Sequence, residues 1–460
     1  MTPSESDFWF LPLGGTGEIG MNMNLYGHDE QWLMVDCGIT FAKQTEEEKA
    51  LGLPASAPPI QMADPEFIAQ RRESLVGLVI THAHEDHIGA VAYIWEQLQC
   101  PVYTTRFTAE ILVRKLQEVG LQKKVPIHIV DPSRDYDIGV FNVRWIGLTH
   151  SIPDAFALLI TTSVAKIFHT ADWKLDPTPV LGEPYSESTY REVGALGIDA
   201  MVCDSTTANV LGHSTSEAAL HADLYKIIES APGRVVVSCF GSNLARMKTL
   251  YDIARSCNRH IALLGRSMLN MADAAKVAGV WRDQQNIVDN HYLCYLPKES
   301  VLAIATGSQG QSRTALHRLS HDNFYDMQLE AGDTVIFSSR AIPGNEDDIE
   351  AMVERLEGMG ITVITDENTD YQIHASGHPA IDELKMMYDW IQPKMSIPVH
   401  GEPQHLKAHA ELAKSLGVPH QQVGRNGDMY FIAPYRGIRR QAVATGRLGL
   451  VNRKLSKIED

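Results

Sequence analysis

No stretch of the 460 residues approaches the roughly 18 uninterrupted apolar residues that a membrane-spanning helix needs, so no membrane partner is expected. The N-terminal MTPSESDFWFLPLGG lacks a basic region and carries only a short apolar run, and neither a signal nor a transit peptide is expected. Cysteine is sparse: Cys37, Cys100, Cys203, Cys239, Cys257 and Cys294 stand singly, without a CxxC pair. That excludes a disulfide scaffold and points to reduced thiols in a cytoplasmic protein. Basic charge is short as well, with 40 Lys+Arg against 57 Asp+Glu and a net charge of −17, which argues against holding nucleic acid by bulk positive charge. Internal repeats and low-complexity tracts are missing, and 44% hydrophobic residues with 21% charged ones make ordinary globular material rather than a disordered chain. At roughly 150 residues per domain, the length allows about three domain-sized units, one of them inserted in another.

What is present reads as layered α/β architecture. Short apolar runs alternate with amphipathic segments along most of the chain. WLMVDCG (32–38), VGLVITH (76–82), IFHTAD (167–172), AMVCDST (200–206), RVVVSCF (234–240), DTVIFSS (333–339) and SIPVHGE (396–402) predict buried strands, several ending in Asp or His. Helical periodicity covers 107–119, 216–230, 243–257, 346–358, 381–391 and 403–416. The charge cluster followed by Pro and small residues at 46–59 predicts a long loop.

Gly15, Gly17 and Gly20 spell G-x-G-x-x-G after an apolar run, with Asp36 ending the next one, as in a dinucleotide fingerprint. That motif needs a helix directly after the glycines. MNMNLYGHDEQWLMVDCG instead offers two Asn and a Gly and then a second strand, so strand-turn-strand is expected and no organic cofactor.

The strongest signal is THAHEDHIGA at 81–90, which places His82, His84, Asp86 and His87 where a strand runs out into a loop. In extended backbone His82 and His84 project to one side and can share an ion. Asp86 and His87 follow where the chain turns toward a helix and can face a second ion. Imidazole with carboxylate suits Zn²⁺, and tolerates Mn²⁺. His150, Asp172 and His400 each end another apolar run. A carboxylate such as Asp172 can bridge two cations about 3.5–4 Å apart, the spacing used for in-line attack on phosphorus.

At this point the sequence resembles a family. HxHxDH with later His, Asp and His looks like the metallo-β-lactamase fold. PLGGTGEIGMN (12–22), THSIPDAFAL (149–158), HTADWKLDPTP (169–179), DSTTAN (204–209), ATGSQG (305–310), PGNE (343–346), HASGH (374–378) and PVHGE (398–402) narrow the resemblance to β-CASP nucleases of the ribonuclease J family. It implies an α/β fold, a metallo-β-lactamase αββα sandwich with an inserted β-CASP α/β domain. It also implies two divalent ions, Zn²⁺ first and Mn²⁺ second: His82, His84 and His150 on one, Asp86, His87 and His400 on the other, and Asp172 bridging.

Asp204 and His378 match further motifs, and Asp86, Asp172, Asp204 and His378 are the implied catalytic residues. Where DNA-specific relatives usually carry Val, this chain has His400, which points to RNA. Ser376, Gly377 and His378, facing Ser242, Asn243 and Arg246, match the part of the family that cradles a 5′-monophosphate, which implies 5′→3′ exonuclease action with endonuclease action beside it. Pro379 and Arg340 depart from the family pattern around that pocket. A homodimer is implied, and a C-terminal domain usual in the family is expected to be missing here.

The boundaries expected are 1–210 and 370–435 for the metallo-β-lactamase part, 211–369 for β-CASP, and 436–460 for a basic C-terminal tail, solvated unless it meets RNA or a subunit. A DNA-preferring β-CASP nuclease is the nearest alternative. A small-molecule metallo-hydrolase is less consistent with an insert of that length, and a non-catalytic scaffold with a full ligand set. The acidic balance is compatible with RNA because two divalent cations and a locally positive cleft act where phosphates approach.

Overall fold

The computed structural model of the chain describes residues 1–42, 48, 56–342 and 345–458. The loop expected at 46–59 and the first half of PGNE lie largely outside them. Two sheets pack face to face. An eight-stranded sheet runs in the order 437–439, 429–433, 8–14, 23–28, 31–35, 75–79, 102–104, 127–129, and a seven-stranded sheet in the order 420–421, 395–399, 200–204, 166–169, 156–161, 141–147, 135–138. Phe8, Phe10, Tyr26, Leu33, Val35 and Val79 of the first meet Val143, Trp145, Leu158, Ile160, Ile167, Val202 and Ile397 of the second in one core.

Helices cover the outer faces. Val91–Leu98 and Arg106–Glu118 lie on the first sheet, and Glu187–Ala195, Ile381–Ile391 and Pro403–Ser415 on the second. This gives the four αββα layers. Strands such as Phe8–Gly14 are buried at every residue because both faces of the sheet are covered. Phe8–Gly14 pairs antiparallel with Met23–His28, so the glycine-rich segment between them is a strand-turn-strand, as expected.

A third, five-stranded parallel sheet is built within 235–364, in the order 260–264, 301–305, 235–238, 334–337, 362–364. Its helices close both faces. The carboxyl ends of its strands lead into 239–243, 306–309 and 338–340, the edge where open α/β sheets place ligands. One core continues from this unit into the sandwich, joining Ala83, Phe107 and Ile152 to Met247 and Ile373.

The C-terminal segment corrects an expectation. It is not a solvated tail: Gly437–Arg439 extends the first sheet, and Arg447–Val451 and Lys454–Ile458 form a hairpin that pairs with Ile60–Ala63. Leu448 is buried, and Leu450 and Leu455 pack against the core between the first sheet and its outer helices. Asn452 and Arg453 both have positive φ, 50° and 65°, the geometry of a two-residue type I′ turn that suits the right-handed twist of the strands.

Candidate metal centre

Strand ends and the loops that follow them assemble the site. The strand Leu75–Val79 runs into 80–84, and the short helix Glu85–Ile88 then turns Asp86 and His87 inward. His150 follows the strand Phe141–Gly147, Asp172 follows Lys166–His169, Asp204 ends Ala200–Asp204, and His400 follows Met395–Val399. Ala171 and His400 are held at φ 52° and 49°, left-handed conformations that are costly for non-glycine residues and persist where surrounding structure imposes them.

Seven of the expected residues converge as two donor sets sharing Asp172. One is His82, His84, His150 and Asp172, the other Asp86, His87, Asp172 and His400, with the donor atoms of each set within 4.8 Å of one another. His84 Nδ1 lies 3.1 Å from His82 Nε2 and 3.0 Å from His150 Nε2. Asp172 Oδ1 lies 3.3 Å from His87 Nε2 and 3.5 Å from His400 Nδ1, and Asp86 Oδ2 lies 3.1 Å from His400 Nε2. A third set, Asp172, Asp204, His378 and His400, overlaps the second.

Outer contacts fix the ring orientations. His87 Nδ1 donates to Asp36 Oδ2 at 2.8 Å, and His150 Nδ1 donates to the Gly377 carbonyl at 2.6 Å. His82 Nδ1 pairs with Thr81 Oγ1 at 3.0 Å, and His400 Nδ1 lies 2.9 Å from Thr206 Oγ1. Each of these imidazoles therefore has one nitrogen tied to protein and Nε2 turned toward the cluster, the arrangement that orients a metal-ligating histidine.

Burial pushes His82 and His150 well below the ordinary histidine value and His84 down to about 4, leaving neutral rings with lone pairs to share. Burial acts in the same direction on His87 and His400, but the neighbouring carboxylates, Asp172 foremost, outweigh it and hold both well above the usual value. Asp172 is held well below the carboxylate range by His400 and His87 against the opposing effect of burial.

The donors fit divalent cations. Asp172 Oδ1 is buried and accepts no hydrogen bond, and three imidazole nitrogens converge with too few protons to bond one another. A cation satisfies both. The mixture of imidazole and carboxylate suits Zn²⁺ and tolerates Mn²⁺.

His378 sits at the rim of the cluster, its ring stacked against His400 at 5.7 Å and edge-on to His150 at 5.4 Å. Its Nδ1 donates to Asp204 Oδ2 at 2.7 Å, and its side chain is 22% exposed. Ser376 Oγ accepts from His378 N at 3.1 Å, which closes the turn, and Gly377 packs directly on the His150 ring.

The opposite wall is only partly as expected. Ser242 is half-buried, whereas Asn243 caps the helix Leu244–Ser256 by accepting from Arg246 N. Arg246 is 0% exposed and cannot reach a ligand: its Nε donates to Glu217 Oε1 at 2.5 Å and its Nη1 to the Ser338 carbonyl at 2.8 Å. A guanidinium this deep in the chain is retained by a carboxylate partner, and Glu217 supplies it. Asp36, Asn22 and Thr206, which lie against the ligands, were not among the expected site residues. Asp36 carried a signal, as an acid ending an apolar run beside the His-rich motif.

Four layers with a histidine and aspartate cluster on the strand ends, interrupted by a parallel α/β unit, define a metal-binding hydrolase of the metallo-β-lactamase fold with a β-CASP insertion. Comparison with known proteins gives the same division. The Metallo-beta-lactamase superfamily model matches 17–184, the model "Ribonuclease J, beta-CASP domain" matches 232–356, and the model "Zn-dependent metallo-hydrolase RNA specificity domain" matches 370–422.

Ribonuclease J of Sinorhizobium meliloti is 41% identical over 434 residues, covering 94% of this chain and 75% of that protein. Ribonuclease J of Mycolicibacterium smegmatis is 34% identical, covering 95% and 76%, and that of Helicobacter pylori strain B128 is 34% identical, covering 94% and 61%. A crystal structure of a protein of unknown function from Enterococcus faecalis V583 shares the fold, with a TM-score of 0.60 at 15% identity over 92% of this chain and 100% of that one. The chain belongs to the ribonuclease J family.

Proposed function

We propose that the protein is a metal-dependent ribonuclease that degrades RNA 5′→3′ from monophosphorylated ends, with endonucleolytic cleavage as a second activity. The observation that carries this is the pair of four-donor sets sharing Asp172. His82, His84 and His150 would hold one ion, Asp86, His87 and His400 the other, and Asp172 both, with Zn²⁺ the first choice and Mn²⁺ the second. Two such ions supply Lewis acidity at the phosphate and activate water at neutral pH.

The chain's own residues do the rest. Burial lowers the His378 pKa, but Asp204 at 2.7 Å outweighs it, and the ring is held above the ordinary value. His378 stands at the rim of the cluster, where its protonated ring would give a proton to the leaving 3′-oxygen while Asp204 orients it. Ser376 and Gly377, beside it, receive the 5′-phosphate, with Ser242 across from them; Arg246 has no part in that contact. Selection of RNA over DNA is supported by His400 and by the RNA specificity model over 370–422, which contains His378 and His400.

The metallo-β-lactamase part is assigned to 1–210 and 370–435 together with the folded segment after 436, and the β-CASP part to 211–369. A cytoplasmic homodimer completes the assignment. The unpaired state of all six cysteines is consistent with a reducing compartment.

The test uses metal-replete protein with RNA labelled at either end and bearing a 5′ monophosphate, triphosphate or hydroxyl, beside DNA of the same sequence. Mononucleotides released from monophosphorylated RNA are expected. Internal fragments regardless of the 5′ end would replace the exonuclease assignment with an endonuclease, and preferential cleavage of DNA would overturn the choice of substrate.

A further inference from the structure

The segment that carries Ser376 and His378 is the return crossover from the inserted unit, and it is gripped on both sides by buried polar side chains that are not metal ligands. Ahead of His378, Ile373 offers its carbonyl to Arg246 Nη1 at 3.1 Å and to Ser338 Oγ at 2.6 Å. Arg246 is anchored in turn by two bonds to Glu217, at 2.5 Å and 3.1 Å. The Glu217 amide donates to Asp176 Oδ2 at 2.9 Å, four residues beyond Asp172.

Behind His378, Glu383 is 0% exposed and accepts four hydrogen bonds. Ala380 N donates at 2.8 Å, Leu175 N at 2.8 Å, Ser214 N at 2.7 Å and Ser214 Oγ at 2.8 Å. The bond from Ala380 alone would be an ordinary helix cap, since Glu383 is the third residue of Ile381–Ile391. The other three come from the strand extension after Asp172 and from the outward crossover.

Each clamp thus joins the His378 segment to the segment downstream of Asp172, and a carboxylate that collects donors from three chain segments fixes them relative to one another. We propose that Glu383 and the Glu217–Arg246 pair are positioning residues for catalysis: two buried clamps that set where His378 stands over the metal centre, without supplying a metal ligand themselves.

This rests on the proton-donor role given to His378 above, and the experiment separates the two. Full-length, metal-replete wild type, Glu383→Gln, Arg246→Lys and the milder Ser214→Ala are compared on monophosphorylated RNA and on bis(p-nitrophenyl) phosphate, whose leaving group departs as a stable anion and needs no proton. A misplacement of about 1 Å costs on the order of 100-fold. Glu383→Gln and Arg246→Lys are therefore expected to lower kcat on RNA by about 10- to 100-fold, with Ser214→Ala smaller in the same direction. With metal in excess, metal content and hydrolysis of the p-nitrophenyl ester should stay near wild type, while KM for monophosphorylated RNA rises because Ser376 and Gly377 move with His378.

Parallel loss of both activities together with metal would overturn the inference, because it marks a merely structural role. Unchanged kcat on RNA in the variants, with wild type active, would overturn it alone. Wild type inactive on RNA would refute the proposed function and the inference with it. If Glu383→Gln does not fold, Ser214→Ala and Ser338→Ala, each removing hydrogen bonds from one clamp, decide by the same criteria.

Discussion

Replacing Gly377 by alanine separates two roles that the same residue could have. A methyl group at this position would lie 2.7 Å from His150 Cε1, 3.0 Å from His150 Nδ1 and 3.3 Å from Ser151 Oγ. Carbon atoms rest about 3.5–4.0 Å apart, so the imidazole must give way by roughly 1 Å. The backbone adds no strain, because Gly377 is not among the residues with positive φ.

The ring cannot move without loosening the 2.6 Å bond from its Nδ1 to the Gly377 carbonyl, the contact that turns Nε2 toward the metal cluster. Loss of such an outer partner typically lowers metal affinity by about 10- to 100-fold, or about 1.4–2.8 kcal/mol. The loss should fall on the ion proposed for His82, His84 and His150 and spare the other. Competition titration with a chromophoric chelator, resolved into two steps, is the assay. If Gly377 matters only because its N–H meets the substrate phosphate, both metal affinities will stay at wild-type values and only KM for monophosphorylated RNA will rise. That outcome would refute the steric argument.

Two more expectations follow from the same geometry. Asp204→Asn keeps the shape beside His378 but removes the charge that holds its pKa up, and general acid–base groups contribute about 10²- to 10⁴-fold. Turnover on RNA should fall within that range at pH 7 and recover partly on acidification, as a pH–rate profile would show, whereas a flat profile at wild-type height would contradict the role of the pair. Acid stability is set partly by buried neutral histidines. His409, enclosed by Ser205 and Tyr388, is pushed down by burial to about 4. Below about pH 6.5 the unfolded chain takes up this proton and the folded chain does not until about pH 4, so stability is complete above 6.5 and declines as pH falls through that window, by about 3 kcal/mol for this group. Urea melts between pH 7 and 4 should show a shallower decline for His409→Gln, and identical slopes would contradict the assignment.

The layers and the metal cluster were legible because their signals are local. Buried strands such as Val235–Ser238 and Met395–Val399 are short apolar runs bounded by polar turns, and six donors sit within a few residues of a strand end. What escaped depended on distant partners. Arg246 sits on a helix directly after a polar turn and reads as exposed, yet Glu217 and Ser338, 29 and 92 residues away, close around it. Asp36 looked like part of a nucleotide fingerprint and instead orients His87, 51 residues on. The C-terminal hairpin was hidden by its charge. Alternation of Leu448 and Leu450 with a turn at Asn452 and Arg453 was present, but seven basic residues across 436–460 suggested a solvated tail. Lys457 and Arg447 are in fact paired with Asp64, Glu66 and Glu18.

The central claim is that Asp172 joins two ions into one hydrolytic site. Metal content by mass spectrometry, measured on the same samples used for RNA cleavage, tests it directly in wild type and in Asp172→Ala. Two equivalents of divalent metal per chain with cleavage in wild type, and fewer than two with cleavage abolished but RNA binding retained in the variant, are predicted. Undiminished turnover in an Asp172→Ala protein of verified metal content would contradict the account.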